Sequence, residues 1–347
     1  MENDVVLSVR DLVVQFTLRG QVLTAIRGAS LDLHKGESLA IVGESGSGKS
    51  VFTKTFMGML DKNGSVKSGE ILYDGMDLAK FTTEAEWLKI RGRRIAMVFQ
   101  DPMTALSPLM TVGKQIAETL ELHQGLKGRA AKQKTIEILR DVGITDPERR
   151  YKQYPHEFSG GMRQRVVIAI AVACNPEILI CDEPTTALDV TIQAQILDLL
   201  RDLQKRYGLT VIYITHDLGV VASVADRIAV MYAGDIVEIG KADEIFYDAR
   251  HPYTWALLSS LPQLGERGED LFAIAGTPPN LFRPVKGDAF APRNPYALKV
   301  DFQYRPPYFD VSPTHKARTW LLDPRAPKVD RPKNLDRIRE MGGYIHE

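Results

Sequence analysis

"SLAIVGESGSGKS", residues 38–50, decides what kind of fold this chain adopts. The apolar run from Ser38 to Val42 reads as a buried strand. It leads directly into Gly43, Gly48, Lys49 and Ser50, which fill the pattern G-x-x-x-x-G-K-[ST]. Glycines let backbone N–H groups curl round phosphate oxygens, the lysine reaches the terminal phosphates, and the serine hydroxyl can ligate Mg²⁺. Helical periodicity starts at Lys49, so the next helix points the positive end of its dipole at the anion. Ser45, Gly46 and Val51 complete the set expected to meet the nucleotide. Strand, loop and helix in this order predict an α/β core with a P-loop.

The matching acid lies in "ILICDEP", residues 178–184. Three apolar positions and a thiol bring Asp182 to the end of a buried strand, where its carboxylate can hold Mg²⁺ through water. Glu183 comes next, so strand alternation points it to the other side, where it can polarise a water for attack on the γ-phosphate. Further strands are expected in "VVLSVRDLVVQF", "AIRGASLDL" and "LTVIYITHD", the first two short. "DRIAVMYAGDIVEIG" reads as a hairpin turning at Gly234-Asp235. Residues 113–144 read as two amphipathic helices, part of a helical insertion over about 101–175.

From about residue 262 the composition turns to proline, aromatics and turns, and 316–339 reads as an extended basic surface tail. Lysine plus arginine and aspartate plus glutamate number 44 each, so no global field points to nucleic acid. The longest apolar run, "VVIAIAVAC" at 166–174, is about half a membrane span. The first residues, "MENDVVLSVR", carry no secretory signal, and Cys174 and Cys181 lie in apolar stretches as expected for reduced cytosolic thiols. A membrane role would therefore be peripheral.

A second glycine motif, "FSGGMRQR" at 158–165, has Ser159 placed as an N-cap, then Gly160 and Gly161, and a helix expected from about Met162. It lacks a lysine, so it cannot cradle phosphate unaided. "GESGSGKS", "FSGGMRQR", "ILICDEP", "TALD" and "ITHD", in this order, resemble the nucleotide-binding subunit of an ABC transporter, over residues 5–260. The resemblance implies a P-loop NTPase core with an antiparallel β subdomain, a helical insertion subdomain and an irregular C-terminal accessory region. It also implies two ATP molecules sandwiched head to tail between two subunits, with Ser159, Gly160 and Gly161 serving the partner's ATP. Phe16 then falls where an aromatic stacks on adenine, although a strand-face core residue would read the same. Gln100, in "MVFQDP", takes the place of the glutamine that meets Mg²⁺ and the attacking water. Asp189, in "TALD", crosses the dimer interface, and His216, in "YITHD", is the switch histidine near the γ-phosphate.

"QDPMTALSPLMTVG", "YPHEFSGGMRQR", "HPYTWALLSSLP" and "GTPPNL" resemble bacterial oligopeptide and dipeptide importers, and within them the D-type ATPase. That implies a second, F-type ATPase, two integral membrane permeases met by residues 101–115, and an extracytoplasmic peptide-binding protein. It places the chain at the cytoplasmic face of a bacterial plasma membrane, with residues 261–347 as the accessory region. Two rivals are an ABC-type ATPase acting on ribosomes or DNA, and an importer of the same subfamily for nickel or another small solute. Many relatives carry a four-cysteine iron–sulfur pattern, whose positions fall here on Asp288, Asn294, Asp301 and Thr319. A cluster of that kind requires thiolates, and packing of Phe290, Tyr296, Phe302 and Trp320 is expected to hold the region instead. Anaerobically purified protein should therefore show no absorbance band at about 400 nm and no stoichiometric iron; either would overturn this reading.

Overall fold

A computed structural model of the chain describes residues 4–186, 188–261 and 274–340. Ala187 of "TALD" and the onset of the composition shift at 262 lie outside the described residues. In chain order the elements begin with β1 (Val5–Leu18), β2 (Gln21–His34), β3 (Ser38–Val42), α1 (Lys49–Thr55), β4 (Gly64–Tyr73), β5 (Met76–Asp77), α2 (Glu84–Trp87) and β6 (Ile95–Val98). Five helices follow: α3 (Pro102–Ala105), α4 (Val112–Gln124), α5 (Gly128–Asp141), α6 (Pro147–Arg150) and α7 (Gly160–Val172). Then come β7 (Ile178–Asp182), α8 (Val190–Tyr207), β8 (Thr210–Thr215), α9 (Leu218–Val224), β9 (Arg227–Tyr232) and β10 (Asp235–Lys241). The last elements are α10 (Ala242–Asp248), α11 (Pro252–Ser259), β11 (Phe309–Asp310), β12 (Lys316–Ala317) and α12 (Asp336–Glu340). The chain divides into two compact units, one built from residues 1–33, 38–80 and 215–347, the other from 34–37 and 81–214.

In the first unit β2, β1, β4 and β5 form a sheet in that order. The strands are longer than the expected short ones, because a bulge lets β1 continue through a change of parity. Leu7 and Val9 are buried, and so are Leu12 and Val14. A register shift after Arg10, with Asp11 at φ 45°, keeps both halves facing the core. β4 carries little hydrophobic signal, being largely exposed in "GSVKSGE", and escapes a reading by apolar alternation.

The same unit pairs β3 parallel to β9, and β9 antiparallel to β10. The hairpin turns at Ala233-Gly234, one residue earlier than the sequence suggests: Tyr232 pairs with Asp235, and the two turn residues have φ 47° and 78°. Asp235 is thus a strand residue, buried, and bonded to Arg305 Nε at 2.8 Å. The preference of "Gly-Asp" for turns yields to this buried ion pair.

Residues 274–335 contain only the two-residue strands β11 and β12 and short 3₁₀ turns. Phe290 is buried against the rings of Tyr232 and Tyr253. Tyr296 meets Trp255 edge-on, and Trp320 meets Phe309 while donating its indole N–H to the Tyr304 carbonyl. Phe302 is 56% exposed, so it does not share in that packing. Nor is the tail a free arm. β12 pairs with β10, Arg331 donates to the Tyr247 carbonyl at 2.6 Å, and Leu335 and Ile338 are buried. Leu335, just before the last helix, and Ile338 within it give this segment a buried side that its charge count conceals.

The four positions of the cysteine pattern are buried, and each accepts a hydrogen bond from a backbone N–H. Asp288 accepts from Phe290, Asn294 from Tyr296, Asp301 from Leu298 and Thr319 from Leu321. These oxygens stabilise local turns and do not fit an iron–sulfur cluster, which takes thiolates.

In the second unit β6, β7 and β8 run parallel, with Ile95 opposite Ile178 and Ile178 opposite Thr210. All three strands are buried along their length, as continuous apolar runs dictate. The chain between β6 and β7 makes α3 to α7. α7 is buried through Val166, Val167, Ile168 and Ala169, and α4 and α5 turn their apolar stripes to it. Both cysteines are free and buried. Burial disfavours the thiolate, pushing Cys174 up to about 11 and Cys181 higher still. Below that range both stay as unreactive thiols. Iodoacetamide at neutral pH should leave the folded protein unlabelled and modify both thiols in denaturant; rapid labelling of folded Cys181 would contradict the buried β7.

Candidate nucleotide site

In the first unit the glycine loop leaves the end of β3 through Gly43, whose φ is 151°. A side chain there would bring its Cβ to 2.1 Å from the Met231 carbonyl oxygen, so only glycine fits. The buried Lys49 folds back over the loop and donates to the carbonyls of Gly43 at 2.7 Å and Glu44 at 3.0 Å. The Ser47 carbonyl accepts from Gly234 N at 2.8 Å, anchoring the loop to the hairpin turn. Loop carbonyls are thereby engaged on one side. Among the described residues the buried Ser47 hydroxyl has no hydrogen-bond partner, and none lies within 4 Å of where a Cβ on Gly46 would project. Ser45 and Gly46 are exposed. α1, which carries Ser50 and Val51, starts at Gly48 with no side-chain cap and no acid in its first turn. An orphaned hydroxyl, open space and an uncapped helix start are what an incoming phosphate would satisfy, so the residues fit a nucleoside polyphosphate.

Phe16 is half-buried in β1 opposite Gly64, with its ring lying over that glycine. His216 is exposed and immediately precedes Asp217, which caps α9 by accepting from Gly219 N at 2.8 Å.

In the second unit Asp182 is the last residue of β7 and is buried. Glu183 is turned by its backbone rather than by strand alternation: its φ is 47°, and its N–H donates to the Ile214 carbonyl at 2.9 Å. A non-glycine residue in this region is strained and is held there by its surroundings. The Glu183 carboxylate accepts from Gln100 Nε2 at 2.7 Å and from the Thr186 hydroxyl at 3.0 Å. Gln100 follows β6 and Glu183 follows β7, so two neighbouring parallel strands bring them together at their carboxyl ends, where open α/β sheets bind ligands.

Ser159 caps α7, accepting from Met162 N at 3.4 Å, and the helix begins at Gly160, two residues before the expected start. Asp189 caps α8, accepting from Ile192 N at 3.0 Å. The two capped starts adjoin, because a Cβ on Gly161 would stand 2.7 Å from the Ile192 side chain. Among the described residues the atom nearest to a Cβ on Gly160 is 3.8 Å away, so their packing does not require that glycine.

Sequence reasoning missed Thr186, although it stands inside "TALD", because its importance lies in one hydrogen bond to Glu183. It also missed Arg293, which is bonded to Glu44 from 249 residues away and has no local signal.

The sequence profile of the family "ABC transporter" matches residues 26–186, and that of "Oligopeptide/dipeptide transporter, C-terminal region" matches residues 237–300. The chain is 59% identical over 349 residues to the oligopeptide transport ATP-binding protein AmiE of Streptococcus pneumoniae serotype 4, covering 99% of this chain and 98% of that protein. It is 59% identical to the oligopeptide transport ATP-binding protein OppD of Bacillus subtilis, covering 94% and 92%. It is 56% identical to the dipeptide transport ATP-binding protein DppD of Lactococcus lactis subsp. cremoris, covering 96% of each. Among solved structures it resembles the dimeric post-hydrolysis state of the ATP-binding cassette MJ0796 bound to ADP and Pi, with TM-score 0.61 and 28% identity over 68% of this chain and 98% of that one. CbiO1 from Clostridium perfringens, part of the transporter complex cbiONQ, gives TM-score 0.61 and 29% identity over 71% and 92%. The phosphate loop, the acidic strand end and near full-length identity agree: the chain belongs to the ABC transporter family, as a member of its oligopeptide/dipeptide transport ATP-binding proteins.

Proposed function

We propose that this chain hydrolyses ATP to drive import of oligopeptides or dipeptides, as one of two ATPase subunits at the cytoplasmic face of a bacterial membrane. The observation that carries the reading is the formed phosphate loop in a chain 59% identical, end to end, to an oligopeptide transport ATP-binding protein. Lys49 and the N–H groups around Gly46 and Gly48 hold the phosphates, with Ser45, Ser47 and Val51 beside them, and Phe16 stacks on adenine. Ser50, Asp182 and Gln100 are the residues that would serve Mg²⁺. Among the described residues no group of three or more histidine, cysteine or acidic side chains could hold a metal alone. That suits Mg²⁺, which takes few protein ligands and binds phosphate oxygens and water.

Glu183 orients the attacking water, and its bonds to Gln100 and Thr186 pre-set the carboxylate. His216 senses the γ-phosphate. The exposed Ser159, Gly160 and Asp189 serve the ATP held by a second, F-type ATPase, which supports a reason for glycine at 160 that this chain's own packing does not supply. No described helix is long and apolar enough to cross a membrane, so the translocation path is assigned to two integral membrane permeases, fed by an extracytoplasmic peptide-binding protein. The surface after Gln100 suits the permease contact. Met103 is 60% and Leu109 87% exposed there, and Gln115 braces the loop through the backbone of Ser107 and Met110.

Glu183→Gln should lower ATP turnover by about 100-fold or more while leaving ATP binding intact and accumulating closed dimers; near-parent turnover would refute the role of Glu183. Leu109→Asp should leave ATP binding by the isolated chain unchanged and abolish its recovery with the permeases; parent-like recovery would refute the docking surface.

A further inference from the structure

Glu44, inside the phosphate loop, is gripped by Arg293 of the C-terminal region. The guanidinium makes two bonds to the carboxylate, Nη1 to Oε2 at 2.6 Å and Nη2 to Oε1 at 3.0 Å. The Arg293 side chain is 3% exposed, whereas that of Glu44 is 28% exposed. The remaining guanidinium contacts fix Arg293 in place: it donates to the carbonyls of Ala275 and Ile274 and to the Tyr232 hydroxyl, and it lies over the Tyr232 and Phe290 rings. Glu44 is also held through its backbone, whose N–H donates to the Tyr253 hydroxyl at 2.8 Å. The segment steered by Arg293 continues to Pro278, Pro279 and Leu281, which line a small cleft together with Glu44, Ser45, Gly46 and Ser47.

A carboxylate on a loop that binds a polyphosphate is an electrostatic liability, since like charges repel strongly where water is partly excluded. A buried, two-bonded arginine cancels that charge and fixes the direction of the carboxylate. The geometry points to Arg293 as a positioning residue for ATP: the C-terminal region neutralises and clamps the phosphate loop through the Arg293–Glu44 pair, making nucleotide affinity depend on that region. The Glu44 carboxylate in turn holds the Arg293 guanidinium firmly protonated. This inference rests on the phosphate loop being the ATP site.

The test is Mg-ATP affinity of the full chain, read with a fluorescent ATP analogue, together with KM and kcat. Arg293→Met, similar in length but uncharged, should weaken binding about tenfold, with the loss in KM rather than kcat. Adding Glu44→Gln to it removes the uncompensated charge and should recover binding to within about threefold of the parent. A purely structural role would lower the melting temperature without moving the affinity of folded protein, and without that rescue. If Arg293→Met does not fold, Arg293→Lys, which keeps charge but loses the two-bonded fork, should weaken binding about threefold. Lys49→Ala is the reference. Loss of binding there with parent-like binding by folded Arg293 variants overturns the clamp and leaves the ATP site standing. Parent-like binding by Lys49→Ala overturns the ATP site, and the clamp with it.

Discussion

A loop that binds phosphate must present its N–H groups to the ligand, so its carbonyls must be engaged elsewhere. Here Lys49 takes two of those carbonyls, Gly234 N takes the carbonyl of Ser47, and Met231 stands so close to Gly43 that no side chain is allowed. The rest of the first unit serves that arrangement. β9 runs beside β3 to bring Met231 to Gly43, and the hairpin turn after β9 brings Gly234 to Ser47. Even the strained φ at Ala233 follows, because its carbonyl accepts from Arg27 Nε at 2.7 Å.

The second unit solves a different problem, the placing of an acid beside an amide. Three buried parallel strands end together, and the left-handed backbone at Glu183 swings its carboxylate to Gln100 and Thr186. In the role proposed for Glu183, a carboxylate already held by an amide and a hydroxyl would lose less freedom on orienting a water, which is pre-organisation.

The core strands, the phosphate loop, the helix from Lys49 and the cap at Ser159 were legible because each depends on local rules: apolar runs, glycine spacing, cap residues. β4 was not, because its exposed polar residues carry no burial pattern. Local turn preference puts the hairpin one residue late because "Gly-Asp" is a good turn pair, while Asp235 is drawn into β10 by Arg305, a partner 70 residues away. The tail reads as a solvated arm because charge dominates its composition, whereas its anchoring rests on β12 pairing with β10, on Arg331 and on the two buried residues Leu335 and Ile338 among many polar neighbours. Glu44, Tyr253 and Arg293 were illegible as a group, since nothing in "GESGSGKS" announces a partner in the C-terminal region. At the hairpin a long-range contact overrides a sound local preference, whereas β4 carries no local signal to read.

The most direct measurement is recovery of the tagged chain from gently solubilised membranes of its own source, followed by identification of everything that remains bound. Two integral membrane proteins and a second, different ATPase are expected in equal amounts with this chain. Recovery alone in the soluble fraction, or with ribosomes, would contradict the importer while leaving the ATPase chemistry intact.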